Sequence, residues 1–508
     1  MRRPISVVLF LALTCPVFTD AAALTAPKTP IEHVVIIFQE NQSFDHYFAT
    51  YPQAANPPGE PPFHAAPGTP TVNGLTAGLL THNPNLEQPW RIDRSQAIPL
   101  IGACDNYHGY TAEQLAYDGG LVDKFVEFAG PHDPFCPPNF VMGYFDGNTV
   151  TALWNYAQRF ALSDNFFGST FGPSMPGAIN LASGQTGGAV PPNVNSPGGS
   201  PWVVNGTMIG NPPAAFDDCA EETGTLVHMT GKNIGDLLNA AGLTWGWFAA
   251  GFKPTATLPD GTAVCGLLAN TDTGFPIQVY DDPDPFDYYK STSNPHHLPP
   301  SSPAMIGKTD QANHQYDFED FWTAAKSGNM PAVSFLRGSQ TTDGHPQQSD
   351  PLAEQAYLVS VINRLQQLPQ WQNTAVFVTW DDSDGWYDHV MPSIVNHSQD
   401  PAHDALHAGS CGTNPPLGGS QDRCGYGPRI PLLIISSFAK ENFVDHSLSD
   451  LSSLIRFIED NWSLGRIGNG SFDALAGSLV NAFDFHHPRF EPLPLDPISG
   501  EPVEGQQF

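Results

Sequence analysis

Residues 34–41 read Val34-Val35-Ile36-Ile37-Phe38-Gln39-Glu40-Asn41. Five apolar residues in a row, without alternation, predict a strand buried on both faces, as in a parallel sheet covered by helices. The runs at 333–336, 374–380 and 432–435 read the same way. Helical patterns lie between and after them. In 351–368, apolar residues at 352, 356, 359, 362 and 365 fall on one face. In 447–459, Ser447 and Asp450 have capping-box spacing, and Leu448, Leu451, Leu454, Ile455 and Ile458 form a stripe. The stretches 52–99, 184–213 and 255–303 read as long loops. The alternation predicts an α/β fold: a mostly parallel central sheet with helices on both faces and long loop insertions.

In such a sheet, ligands bind beyond the carboxyl ends of the strands. Two of those ends are chemically unusual. The first strand runs into Glu40-Asn41, and 374–380 runs into Asp381-Asp382. If both strands are central and parallel, three carboxylates and an amide oxygen meet, which is a hard-oxygen cation site. The alternative is that Asp381 and Asp382 build a turn or cap a helix. Ser174, in Phe171-Gly172-Pro173-Ser174-Met175-Pro176-Gly177, stands where an N-cap would, with Gly184 as the stop. A hydroxyl there also faces free N–H groups and the positive end of a helix dipole, which suit an alkoxide or a phosphate. His108, His296, His297 and His345 occupy loops. Each alone reads as a surface residue; as a set they can bind phosphoryl oxygens and protonate a leaving group.

The 508-residue chain carries 20 Lys+Arg against 51 Asp+Glu, a formal charge of −31. That balance excludes a nucleic-acid binder, which needs a basic face. Arg2 and Arg3 precede the apolar run 5–13, and Ala21-Ala22-Ala23 offers a cleavage site. This is the layout of a secretory signal, 1–23, and the apolar run is too short to span a bilayer. No later apolar stretch reaches that length. A secreted or periplasmic protein with six remaining cysteines is expected to form up to three disulfides. Pairing of neighbours (Cys104 with Cys136, Cys219 with Cys265, Cys411 with Cys424) is expected because each would staple one long loop. A thiolate metal site is disfavoured because no C-x-x-C occurs.

The segments Ile31-Glu32-His33-Val34-Val35, Glu40-Asn41-Gln42-Ser43-Phe44-Asp45, Gly172-Pro173-Ser174-Met175-Pro176 and Asn294-Pro295-His296-His297 share an order with three later ones. Those are Thr379-Trp380-Asp381-Asp382, Asp388-His389-Val390 and Gly425-Tyr426-Gly427-Pro428-Arg429-Ile430-Pro431. In that order they resemble the phosphoesterase family of bacterial secreted phospholipases C and acid phosphatases, related in core fold to alkaline phosphatases. The resemblance implies that 24–508 forms a single phosphoesterase domain. It also implies that Glu40, Asn41, Asp381 and Asp382, with Ser174, hold one divalent metal ion (Ca, Mg, Mn, Zn or Fe). Ser174 matches the nucleophile that becomes phosphorylated. His108, one of His296 and His297 (with His297 favoured), and His345 match residues around the phosphoryl group; His389 would only support the site. Two departures favour an acid-phosphatase-like phosphomonoesterase over a phospholipase C acting on phosphocholine lipids. The chain ends soon after Phe485, and Gly177-Ala178 replaces the Asn-Arg frequent in phospholipases. The expected partner is a phosphoester, either a small molecule or a lipid head group.

Two other classes remain as alternatives. A serine esterase would want G-x-S-x-G, but the nearest segment, Gly168-Ser169-Thr170-Phe171-Gly172, puts Thr at the nucleophile position. A non-catalytic acidic cation-binding surface protein would leave Ser174 and the histidines without a role.

Overall fold

The computed structural model describes residues 26–191, 194–196, 199–220, 224–280 and 284–503. The expected signal, 1–23, and Cys15 within it lie outside those residues.

Eight strands form the main sheet: β1 (His33–Gln39), β2 (Ala161–Ser163), β3 (Trp245–Ala249), β4 (Gln315–Asp317), β5 (Val333–Arg337), β6 (Thr374–Trp380), β7 (Leu432–Ser436) and β8 (Phe443–Asp445). Their order across the sheet is β4-β3-β5-β1-β6-β7-β2-β8. All neighbours are parallel except those of β7, which runs against β6 and β2. Every residue of β6, and every residue of β1 after His33, is buried. Successive side chains point to opposite faces, so unbroken burial means that both faces are covered. β1 and β6 lie side by side, with Gln39 opposite Trp380. Glu40 and Asp381 therefore leave the sheet together.

Four helices matter to the site: α1 (Tyr110–Tyr117), α2 (Ser174–Ser183), α3 (Pro351–Gln366) and α4 (Ser452–Trp462). The helix expected over 351–368 is α3. Asp350 caps it, accepting from Leu352 N at 2.8 Å, and Pro351 sits in its first turn. It stops short of Leu368, where the residue before Pro369 is extended. The helix expected from Ser447 begins only at Ser452. Ser449–Asp450 instead pairs as a short strand with Phe166–Phe167. The Asp450 carboxylate accepts from Ser452 N and Oγ and from Ser169 Oγ. Leu448 is thus outside the helix and exposed, while Leu451, Leu454, Ile455 and Ile458 are buried as expected. The three neighbour disulfides form, Cys104–Cys136, Cys219–Cys265 and Cys411–Cys424.

α3 also buries a carboxyl group beneath β6. Glu354 accepts from Tyr47 Oη at 2.7 Å, Trp380 Nε1 at 2.7 Å and Gln39 Nε2 at 3.4 Å. Burial pushes it up to about 8 despite these donors. The folded chain therefore holds a proton that the unfolded chain releases near the usual carboxylate range. The stability this contributes is complete below that range and is lost as pH rises toward 8. Glu354→Gln is expected to flatten the pH dependence of the thermal midpoint between about pH 4.5 and 8. Melting curves at both ends of that window check it.

Candidate functional site

Ser174 is the first residue of α2, and Pro173, which has no side-chain donor or acceptor, occupies the N-cap position. The expected capping role is therefore not what the hydroxyl does. Ser174 Oγ donates to Glu40 Oε2 at 3.0 Å, with Asn41 Oδ1 3.4 Å away. Asn41 adopts a left-handed backbone (φ 64°), which Asn tolerates better than most residues. Its N–H donates to Asp381 Oδ1 at 3.0 Å and its Nδ2 to Asp384 Oδ1 at 3.0 Å. That leaves Oδ1 turned toward Ser174. α2 lies against the end of β6 because residue 177 is Gly. A Cβ there would stand 2.1 Å from Asp381 O.

Asp381 and Asp382 do build a turn, with one oxygen each. Asp381 Oδ1 accepts from Asp382 N at 2.8 Å, and Asp382 Oδ1 from Asp384 N at 2.6 Å. The other oxygen of each, Asp381 Oδ2 and Asp382 Oδ2, is buried and accepts no hydrogen bond. Buried carboxylate oxygens without partners are costly unless a cation meets them. Burial, then the charges of Glu40 and Asp382, push Asp381 far above the usual carboxylate range. Burial and Glu40 lift Asp382 to about 6, even though His108 and His345 pull the other way. Burial alone would raise Glu40 too, but Arg337, His345 and a hydrogen bond from Asp381 hold it below its ordinary value. A bound cation would supply the missing positive charge. The donor set of Glu40, Asn41, Ser174, Asp381 and Asp382 is all oxygen, and it fits one divalent ion.

A cavity of about 860 Å³ opens onto Glu40 and Ser174. Its lining includes the polar residues His345, Asn211 and Asp218 and the apolar residues Leu258, Val264 and Ile277. Asn211 Oδ1 accepts from Met175 N, the second N–H of α2, at 2.9 Å.

The four histidines are not equivalent. His345 faces the cavity, and its Nδ1 donates to Pro346 O at 2.6 Å. Burial disfavours its charge, but Asp105, Glu40 and Asp343 outweigh that and raise it to about 9. In the metal-free chain it is therefore an imidazolium at neutral pH. His108 stands on the other side, Nδ1 3.2 Å from Asp384 Oδ1 and close enough to Asp382 to lower that group. His297 is set differently: it is buried, stacked on Phe252, and both ring nitrogens are taken. Nδ1 donates to Phe252 O at 2.6 Å and Nε2 lies 2.7 Å from Asp217 Oδ1. His296 is half exposed and bonds Asp218, a residue of the cavity wall, at 2.7 Å. His296 and His297 are not among the residues lining the cavity. His389 pairs with Asp45 at 2.6 Å, inside a buried cluster in which Arg429 bonds both Asp45 and Asp388 at 3.0 Å. That cluster ties the turn after Asp382 to the segment after Ser43.

Two groups at the site were missed by the sequence reading. Arg337 ends β5 and forms a buried ion pair with Glu40. A cation placed directly after the apolar run 333–336 was a visible signal. Glu113, from α1, accepts from Ser383 Oγ at 2.7 Å and Gly172 N at 2.8 Å, joining the two loops that carry Asp382 and Ser174. No local pattern marks it.

Ser174, at a helix N-terminus, thus stands beside a buried all-oxygen acidic cluster at the carboxyl ends of a mostly parallel sheet. The Phosphoesterase family matches residues 31–465, and the chain belongs to it. It is 25% identical to the non-hemolytic phospholipase C of Burkholderia pseudomallei, over 94% of this chain and 63% of that protein. It is 23% identical to phospholipase C B of Mycobacterium tuberculosis, over 96% of this chain and 87% of that one. The chain thus spans less than two thirds of the Burkholderia relative. A protein in the alkaline phosphatase superfamily from Vibrio parahaemolyticus aligns over 74% of this chain and 78% of its own, at 12% identity and a TM-score of 0.28. No helix among the described residues is long and apolar enough to cross a membrane.

Proposed function

We propose that this chain is a secreted, metal-dependent phosphoester hydrolase of the acid phosphatase kind, and that its reaction passes through a phosphoserine at Ser174. The observation that carries the proposal is the hydrogen bond from Ser174 Oγ to Glu40 Oε2 beside two buried carboxylate oxygens that accept no hydrogen bond. Residues 24–508 act as one unit in this reading, since core residues from Ile31 to Leu495 join one apolar cluster.

Glu40, Asn41, Asp381, Asp382 and Ser174 would hold a divalent cation, which supplies Lewis acidity to the phosphoryl oxygens and to the serine hydroxyl. Ser174 Oγ attacks phosphorus in line with the ester oxygen, and its proton leaves along the hydrogen bond to Glu40. The bond from phosphorus to the ester oxygen breaks. His345, an imidazolium at the cavity wall, donates its Nε2 proton to the departing alkoxide. Water, giving a proton to the now neutral His345, then attacks the phosphoserine; the bond from phosphorus to Ser174 Oγ breaks, Glu40 returns its proton to that oxygen, and inorganic phosphate leaves. His108 balances the carboxylates around Asp382. His296 and His297 hold Asp218 and Asp217, shaping the wall without touching the phosphoryl group.

A second reading, a phospholipase C acting on lipid head groups, is favoured by the apolar wall of Leu258, Val264 and Ile277 and by the names of the relatives. Comparing p-nitrophenyl phosphate with p-nitrophenyl phosphorylcholine separates the two. We expect a higher kcat/KM on the monoester; a higher value on the diester replaces the first reading with the second.

A further inference from the structure

A second group of metal-ligating side chains lies where the loop closed by Cys411–Cys424 meets the hairpin turn at Asn205. Asp400, His403 and Asp422 each offer one ligand atom, and these atoms all lie within 4.8 Å of one another. Asp400 Oδ2 is 3.0 Å from His403 Nδ1, and Asp422 Oδ1 is 4.0 Å from it. Ligand atoms about 2.0–2.1 Å from a tetrahedral zinc stand roughly 3.3 Å apart, between those two spacings. Asp422 Oδ1 accepts no hydrogen bond, although the residue is 1% exposed and its backbone is left-handed at φ 62°. A loop that buries a carboxylate oxygen aimed at an imidazole nitrogen, and gives it no donor, has left room for a cation there.

The surroundings fit that reading. Asp404 adds a third carboxylate, accepting from Asp400 N at 2.7 Å and from Tyr110 Oη at 2.6 Å. Among the described residues, His403 is the one basic side chain within ion-pair distance of Asp400 and Asp422. Asn205 Nδ2 donates to the remaining oxygen of Asp422 and to Asp400 Oδ2, both at 2.9 Å. Such hydrogen bonds to ligating carboxylates orient them on a metal. Burial, then the charges of Asp400 and Asp404 and a hydrogen bond to Asp400, lift Asp422 to about 7 even with Asn205 bonded to it.

We infer that Asp400, His403 and Asp422 form a second, structural metal site, with water as the fourth ligand, that takes zinc. The imidazole among the carboxylates favours zinc over calcium or magnesium. Its place explains its use. Cys424 N donates to Tyr110 Oη at 3.0 Å, and Tyr110 opens α1, the helix that follows His108 and carries Glu113. A cation there braces the loop against the helix that supports the reacting groups.

The test uses the mature full-length chain carrying Asp381→Asn, so that the site at β1 and β6 is weakened. Chelator-stripped protein is titrated with zinc chloride, and bound zinc is counted by elemental analysis. We expect about one zinc per chain, lost in the added variant His403→Gln, whose side chain is a third exposed. Cobalt should give visible ligand-field bands that the same variant abolishes. Zinc should raise the thermal midpoint of Asp381→Asn but not of the double variant. Equal zinc uptake with and without His403→Gln, or no uptake by Asp381→Asn, overturns the inference. Calcium reproducing the stabilisation in both variants overturns it too. Turnover of the His403→Gln single variant under zinc-free assay conditions is expected to match that of the parent chain.

Discussion

Asp381→Asn is expected to lower kcat by about 1,000-fold or more while making the metal-free protein more stable at neutral pH. A cation at a phosphoryl centre supplies several kcal/mol of charge stabilisation, and each ~1.4 kcal/mol is tenfold in rate. The Asn side chain keeps an oxygen for the donors Asn41 N and Asp382 N, and puts an amide where Oδ2, which accepts no hydrogen bond, stands. That amide can donate to Glu40, as the Asp381 carboxyl does when it carries a proton. The sign follows from the raised Asp381. Its stability contribution is complete below the unfolded carboxylate range and is lost as pH rises. Asn has no proton to lose. The gain in thermal midpoint of the stripped variant over the stripped parent should therefore be small near pH 4 and grow toward pH 8. A variant destabilised at pH 8, with activity retained, would mean that these carboxylates build a turn and hold no metal.

Ser174→Ala is expected to be as damaging to turnover, by several orders of magnitude, with no loss of fold. The hydroxyl makes no capping bond, and Ser174 is 7% exposed at the cavity floor, so its removal leaves only a small void. One ligand of five is lost from the cation, so metal content should persist with weaker affinity. A serine hydroxyl is a poor nucleophile near neutral pH and needs help. Here the bond to Glu40, the adjacent cation and the start of α2 all favour the alkoxide, the helix by about 1 kcal/mol. Near-parental kcat in Ser174→Ala would make water the nucleophile. Thermal melting and elemental analysis of the same preparation separate that outcome from misfolding.

Much of this was legible in the sequence because the decisive residues sit at the ends of apolar runs. Burial on both faces made 34–38 and 374–380 readable as central strands, and their parallel pairing brings Glu40 beside Asp381. Other features escaped because they depend on partners far along the chain. Ser447 and Asp450 have the spacing of a capping box, yet pairing with Phe166–Phe167 holds Ser449–Asp450 extended and delays α4 to Ser452. Glu113 reaches Ser383 and Gly172 across long sequence gaps, with nothing in its own helix to show it. His297 stands in a recognisable motif, but its nitrogens go to Phe252 O and Asp217, contacts that no spacing rule supplies. Pro173 takes the cap position that a propensity argument gives to Ser174. That choice frees the hydroxyl for Glu40.

The measurement that reaches the centre of this account is mass spectrometry of enzyme quenched in acid during turnover of p-nitrophenyl phosphate. Acid halts hydrolysis of a phosphoserine while leaving its ester bond intact long enough to digest and sequence the peptides. A phosphate on the peptide that carries Ser174, absent without substrate and absent in Ser174→Ala, is the predicted result. Full turnover with no phosphate on that peptide at any quench time would contradict it.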